Sequence, residues 1–326
     1  MISNGWKEVT LNDIAYLNYG KSLIADKRKK GSIPVYSSSG ITGQHDKALV
    51  NEEGIIIGRK GNVGSVFYSN RPFYCIDTAY YIKKSEITCD IKYLYYLLKT
   101  LRLDRLNEDS AVPGLNRDTA HTQTFFYPES IETQRRIADI LSALDDKIEL
   151  NRQTNATLEA IAQAIFKEWF VNFNFPGATG ELVESELGMI PKGWKILPMD
   201  KIADFLNGLA LQKYPAENEY DYLPAIKIRE MKNGISNSSD KVSKNLPAKY
   251  IVHDGDLLFS WSGTLEIIFW VGGDGALNQH LFKVTSNNYP IWFCYFWILQ
   301  YIDKFKGIVE DKKTTMGHIQ RHHISE

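Results

Sequence analysis

The residues best suited to chemistry in this chain are cations and amides set among glycines. In the run Gly58-Arg59-Lys60-Gly61-Asn62-Val63-Gly64, glycine recurs at every third position. That spacing is neither a dinucleotide fingerprint nor a P-loop. It reads either as a glycine-rich connection between strands or as a loop presenting backbone N–H groups, Arg59, Lys60 and Asn62 to a nucleic acid. Arg and Lys on such a loop can pair with guanine or with phosphate. Lys27-Arg28-Lys29-Lys30 is a tight basic run, either a solvated loop or a phosphate anchor that positions without specifying. Tyr36-Ser37-Ser38-Ser39-Gly40, followed by Thr42, supplies an aromatic and hydroxyls for base edges, or simply a turn. Further on, Lys227, Arg229, Lys232 and Asn233 are expected at the end of a strand. Ser260-Trp261-Ser262 stands where the earlier stretch has Arg59–Gly61. The candidate nucleic-acid contacts are therefore Lys27, Arg28, Lys29, Lys30, Ser37, Ser38, Arg59, Lys60, Asn62, Lys227, Arg229, Lys232 and Trp261.

Catalytic chemistry finds less support. Glu310-Asp311-Lys312 has a nuclease-like E-x-K pattern but no upstream Asp to complete it. His318, His322 and His323 read as a loop or terminal strand sooner than as metal ligands. No Asn/Asp-Pro-Pro-aromatic motif of the adenine methyltransferases occurs. No catalytic and no metal-binding residue is expected. Cys75, Cys89 and Cys294 are scattered and odd in number, which fits a reducing cytoplasm better than a disulfide scaffold. The N-terminus lacks a basic-plus-apolar signal. The most apolar window, Ile291–Ile302, is too short for a bilayer span of about 20 residues. A cytoplasmic protein without a membrane partner is expected.

The elements that position these residues are laid out twice. Residues 5–23 read GWKEVTLNDIAYLNYGKSL and residues 193–211 read GWKILPMDKIADFLNGLAL. Gly5, Trp6, Lys7, Ile14, Ala15, Gly20 and Leu23 recur, 188 residues later, as Gly193, Trp194, Lys195, Ile202, Ala203, Gly208 and Leu211. A repeat this long is a whole domain copied, not a solenoid unit. Each copy opens with a strand-like run and a helical turn. Apolar, β-branched pieces broken by Gly, Ser, Asn and Pro follow. Each then turns helical, over Asp90–Leu106 and Tyr289–Lys306. The aromatic groups at Tyr93–Tyr96 and Trp292–Trp297 lie on those helices at a spacing that suits core packing.

Residues Glu129–Phe173 contain no Gly or Pro. Ile137, Leu141, Leu144, Ile148, Asn151, Asn155, Leu158, Ala162, Ile165 and Trp169 alternate steps of four and three, a heptad seam. A continuous helix here would be about 65 Å long and would need a partner helix for its stripe. The two asparagines mark either a break near residue 151 or buried amides that fix the partner's register. The predicted class is α+β: mixed domains at 1–128 and 193–326, a coiled-coil-type spacer helix at 129–176 and a linker at 177–192. Continuing the symmetry would place a final strand and a second long helix beyond Glu326, so the second copy is expected to be truncated. Charge is uneven: residues 1–128 carry a net +4, 129–170 a net −3 and 171–326 a net −2. Differences of this size do not decide for or against a DNA partner.

Several stretches together resemble the specificity subunit of Type I restriction–modification systems. They are the repeated opening, the Gly58–Val66 loop, the spacer segment Glu132–Phe173 and the junction SELGMIPKGWK at Ser185–Lys195. The resemblance implies two target recognition domains, each reading one half of a split double-stranded DNA site. It implies spacer helices that set the distance between the halves and dock methyltransferase subunits. In the family those helices pair antiparallel. The seam residues Ile137, Leu141, Leu144, Ile148, Asn151, Asn155, Leu158, Ile165 and Trp169 are then the expected subunit interface. Motor-nuclease subunits complete the assembly. S-adenosylmethionine, ATP and Mg are expected in the partner subunits and no cofactor in this chain. A self-sufficient nuclease or methyltransferase is one rival reading. An inactive truncated or phase-variable allele that binds methyltransferase subunits without productive targeting is another.

Overall fold

A computed structural model describes residues 5–106 and 114–311, with side chains as far as residue 307. The chain divides into two compact units, Met1–Ala156 and Thr157–Glu326.

In the first unit, β1 (Trp6–Thr10) leads into the single turn α1 (Leu11–Ile14). The Thr10 N–H donates to Asp13 Oδ2 at 2.7 Å and caps that turn. There follow β2 (Asn18–Tyr19), β3 (Ile33–Ser37), β4 (Gly40–His45), β5 (Gly54–Gly58), β6 (Val66–Ser69), β7 (Tyr74–Cys75) and β8 (Ala79–Lys83). Helices α2 (Ile91–Thr100) and α3 (Arg117–His121), strand β9 (Thr124–Pro128) and the long α4 (Ile131–Phe166) complete the order. One sheet runs β2-β8-β5-β6, all antiparallel, and a second runs β4-β3-β7 with β3 and β7 parallel. β1 and β9 form a separate pair. The run Ile55-Ile56-Ile57 is fully buried because both faces of β5 are covered. Ile55 and Ile57 join Tyr80, Ile82 and Leu94 in one core, while Ile56 joins Phe73, Cys75 and Tyr81 in another.

The second unit repeats this plan. After the hairpin β10 (Leu182–Ser185) and β11 (Gly188–Pro191) come α5 (Met199–Ile202), β12 (Asp204–Asn207), β13 (Leu223–Ile226) and α6 (Ile228–Asn233). Then follow β14 (Lys241–Val242), β15 (Ile251–Val252), β16 (Leu257–Ser260), β17 (Ile267–Phe269), β18 (Gly275–Leu277), β19 (Leu281–Thr285) and α7 (Ile291–Asp311). Sheet β12-β19-β16-β17 matches β2-β8-β5-β6 strand for strand. Parallel β13 and β18 match β3 and β7. Leu257 and Phe259 face the α7 core, while Leu258 faces the other cluster. The mixed α/β duplication read from the sequence is thus present in the topology.

Four details depart from the sequence reading. The Gly193-Trp194 opening forms no strand; Trp194 sits among Phe170, Phe173 and Phe175, its centroid 5.3–5.8 Å from theirs. Residues 177–192 are not a bare linker, since they contain the β10–β11 hairpin. Lys227 caps α6 while Arg229, Lys232 and Asn233 lie on it, so these residues do not end a strand. The Glu230 carboxylate accepts from the Lys227 N–H at 3.2 Å, and this capping contact starts a helix where β-branched residues favoured extension. Helix Asp90–Leu106 is shorter than expected, ending at Thr100.

Helix α4 runs without a break through Asn151 and Asn155 and gives way to a π turn at Lys167–Val171. At 1.5 Å per residue its 36 residues span about 54 Å. Its start is latched by buried Gln134. That side chain accepts from the Asp90 N–H at 2.9 Å and donates to the Pro128 carbonyl at 2.9 Å. Tyr96 Oη donates to Asp145 at 2.9 Å, and in the second unit Tyr295 Oη donates to Glu159 at 2.6 Å. Phe166 is buried against Phe293, Phe296 and Trp297. Tyr93 is also buried, so most of the helix aromatics serve packing, while Trp292 is 47% exposed. No helix among the described residues is long and apolar enough to cross a membrane.

Candidate nucleic-acid interface

The loop joining β5 to β6 is built by its glycines. Gly64 has φ +73, and a β-carbon there would overlap the backbone of Asp104. The Gly64 N–H bonds the Gly58 carbonyl at 2.9 Å, and Ser65 Oγ donates to the Asn62 carbonyl at 2.8 Å. The loop is therefore a tight strand connection that also displays Lys60 and Asn62 on the surface, with Arg59 half-buried at its base. Asn62 Nδ2 reaches Ser39 Oγ at 3.3 Å, and Ser65 Oγ also donates to the Ser38 carbonyl at 2.5 Å. The Gly58–Val66 loop and the Tyr36–Gly40 turn, apart in sequence, are neighbours in space.

Three further segments meet them. Arg59 Cζ lies 4.9 Å from the centroid of Tyr19 and 5.8 Å from that of Tyr80. Arg117 Cζ lies 5.1 Å from Tyr19 and 5.2 Å from Tyr16. Arg117 Nη1 donates to Tyr16 Oη at 2.7 Å. Tyr16 also packs on His121, centroids 5.3 Å apart. The result is an alternating stack of Tyr16, Arg117, Tyr19, Arg59 and Tyr80, with Tyr16 and Tyr19 each 47% exposed. Helix α3 supplies Arg117 and His121; its Asn116 cap accepts from the Asp118 and Thr119 N–H groups. The Leu115 N–H donates to the Arg59 carbonyl at 2.8 Å, and Tyr80 Oη to the Leu115 carbonyl at 2.9 Å. Burial pushes the Tyr80 phenol up to about 12, so it remains a neutral donor. His121 Nε2 accepts from the Leu17 N–H at 3.1 Å. Burial, then the nearby Arg117 charge, holds His121 below its ordinary pKa, in the neutral form that accepts.

The other candidates fall in different places. Lys27, Lys29 and Lys30 are exposed, while Arg28 Nη1 donates to the Thr42 carbonyl at 2.7 Å. Ser37 and Ser38 are buried; Ser37 Oγ accepts from the Ser39 N–H at 3.0 Å and closes the turn. Lys227 pairs with Asp240. Arg229 pairs with buried Glu230 at 2.7 Å and donates to the Ser238 carbonyl at 2.8 Å, which ties it to its own fold. Lys232 is exposed. Trp261 follows β16 as Arg59 follows β5. Its Nε1 donates to Asn207 Oδ1 at 3.1 Å and its ring lies 5.9 Å from Phe282. Asn207 and Phe282 hold the places of Tyr19 and Tyr80. The two units thus share one site with different side chains in it. Sequence reasoning missed Tyr16, Tyr19, Arg117 and Asn207. The only signal was a pair of tyrosines three residues apart, directly before the repeated glycine.

Along α4, Ile137 packs on the first unit's core and Leu141 is half-buried. Every residue from 143 to 161 is exposed, including Leu144, Ile148, Asn151, Asn155 and Leu158. Ile165 and Trp169 are exposed and Ala162 is half-buried. Among the described residues no group of His, Cys, Asp and Glu is arranged to hold a metal ion. The side chains of Glu310, Asp311 and Lys312, and His318, His322 and His323, lie outside the described residues.

Comparison with known proteins adds to this geometry. A family model described as the Type I restriction modification DNA specificity domain matches residues 3–160 and again 191–325. The Type I restriction enzyme MjaIX specificity subunit of Methanocaldococcus jannaschii is 31% identical over 208 residues, 61% of this chain and 46% of that protein. The match thus spans less than half of that relative's length. The HindI specificity subunit of Haemophilus influenzae is 30% identical over 371 aligned positions, 87% of this chain and 80% of that protein. The crystal structure of the Type-I restriction-modification system S subunit from M. genitalium superposes with a TM-score of 0.54. It is 16% identical, covers 98% of this chain and 85% of that one, and shares the fold.

Proposed function

Because this chain belongs to the Type I restriction modification DNA specificity family, we propose that it is the subunit that reads DNA sequence for such a system. Its two units each contact one half of a two-part double-stranded site. The exposed stretch of α4, with Leu144, Ile148 and Leu158 at heptad spacing, docks methyltransferase subunits. Those subunits bring S-adenosylmethionine and methylate adenine; motor-nuclease subunits, using ATP and Mg, cut unmodified DNA. This chain supplies recognition and no catalysis, and it works in the cytoplasm, where the DNA is.

One observation carries the reading: the same sheet corner holds Arg59 with Tyr19 and Tyr80 in one unit and Trp261 with Asn207 and Phe282 in the other. A repeated scaffold with different chemistry at one position suits two readers of different half-sites. The test is co-expression with a methyltransferase subunit of the same system. The two proteins should co-purify, and methyl transfer to DNA should need both. A chain that methylates DNA alone, or that never joins the methyltransferase, contradicts the reading.

A further inference from the structure

The Tyr16–Arg117–Tyr19–Arg59 stack presents only hydrogen-bond donors to solvent along its cationic members. Arg59 pairs with no carboxylate among the described residues; its oxygen contacts are neutral, the Asp77 carbonyl at 3.4 Å and the Tyr80 hydroxyl. Arg117 has a neutral acceptor in Tyr16 and one carboxylate, Asp118, 3.5 Å away and 84% exposed to screening water. Tyr16 Oη accepts from Arg117, which leaves its own hydrogen free to donate outward. Both guanidinium carbons lie about 5 Å from the same Tyr19 ring, hence within about 10 Å of each other. Two like charges held on one aromatic ring favour an anion alongside the stack. The rings also fix the guanidinium planes, so little rotamer freedom remains to be lost when a phosphate binds.

Among the described residues, the second unit's corner has Trp261 where the first unit has Arg59. Asp204 and Asn207 stand 188 residues after Tyr16 and Tyr19, and Trp261 replaces Arg59. An acid, an amide and an indole repel or ignore a phosphate.

We propose that Arg59 and Arg117 form a clamp for the DNA phosphodiester backbone in the first unit, a role that Trp261, in Arg59's place, does not fill in the second. The proposal rests on the DNA-reading function above and names the residues that hold the backbone in the first unit. The clamp positions the duplex, since phosphate contacts do not specify sequence.

The test uses the complex with its methyltransferase subunits. Binding to a duplex carrying the methylated site, and to a non-specific duplex of equal length, is measured across a salt series. Arg59→Gln and Arg117→Gln should each make the slope of log Kobs against log salt shallower by about 0.9 and weaken both duplexes alike. Arg59→Lys and Arg117→Lys, which keep the charge, should retain most of the slope and also guard against misfolding. Trp261→Phe should leave the slope unchanged. Loss confined to the specific duplex, with the slope intact, would make the arginines base readers and overturn the clamp. Unchanged slopes in the glutamine variants, or a slope change with Trp261→Phe, would overturn it as well. A wild-type complex that binds neither duplex would instead overturn the DNA-reading function, which is a separate and distinguishable result.

Discussion

Gly20 lies directly against the carbonyl of Ile76, where a β-carbon would overlap the oxygen. Its N–H bonds the Ala79 carbonyl at 3.1 Å and the next N–H, of Lys21, bonds Cys75 at 2.9 Å. In the second unit Gly208 meets Asn278 in the same way, with Gly208 bonding Leu281 at 3.0 Å and Leu209 bonding Leu277 at 2.9 Å. The repeated glycine is therefore a close-approach residue that lets β2 and β12 run past the end of the parallel strand pair.

Gly20→Ala and Gly208→Ala should each destabilise the chain by about 1–3 kcal/mol, because backbone cannot move aside as a side chain can. Gly307→Ala, on the exposed face of α7 with nothing within 4 Å, should stabilise by up to about 1 kcal/mol. Urea unfolding of the three variants reads these differences. A neutral Gly20→Ala would refute the close-approach role.

His121 predicts an acid-side loss of stability. Its folded pKa is lowered, so the unfolded chain takes up a proton near pH 6.5 while the folded chain does not. Stability should be constant above that pH and fall as pH drops from about 6.5 towards the folded pKa. His121→Gln, which offers an acceptor to the Leu17 N–H without titrating, should flatten that window in a pH series of denaturation midpoints.

All three cysteine thiols are buried and free. Burial pushes Cys75 up to about 12 and Cys89 up to about 11, and raises Cys294. A thiol reagent at neutral pH should label almost none in the native protein and all three after denaturation. Rapid native labelling would contradict the placement of these residues in the cores.

Gln134 is 1% exposed and bridges the first turn of α2 to the end of β9. Gln134→Ala strands the half-buried Asp90 N–H and the buried Pro128 carbonyl and should cost about 1–3 kcal/mol. Equilibrium unfolding that shows no loss would mean water replaces the amide.

Leu144→Asp and Leu158→Asp change exposed positions and should alter stability by no more than about 0.5 kcal/mol. Co-purification with the methyltransferase subunit should nonetheless fall sharply. Retained co-purification with both changes would move the docking surface off this face of α4.

Much of this architecture was legible because it rests on local pattern. Gly20 and Gly208 betrayed the duplication and the four-three alternation the long helix, although the sequence equally allowed a break near Asn151, through which α4 runs. The site was legible only in part. Arg59 and Trp261 announced themselves beside glycines, yet Arg59's partners Tyr19 and Tyr80 come from strands 40 and 21 residues away and Arg117 from a separate helix. Ser37 and Ser38 carry the right atoms but turn inward, and Arg229 is held by Glu230. Side-chain direction and pairing depend on tertiary packing, which spacing alone does not encode.

The central claim is that two copies of one scaffold read two different half-sites. Its most direct test is a map of methylated adenines in DNA from cells expressing this chain with its methyltransferase subunit. A two-part asymmetric motif separated by a fixed gap is the predicted result. A palindromic motif, an undivided one, or no new methylation from soluble complex would contradict it.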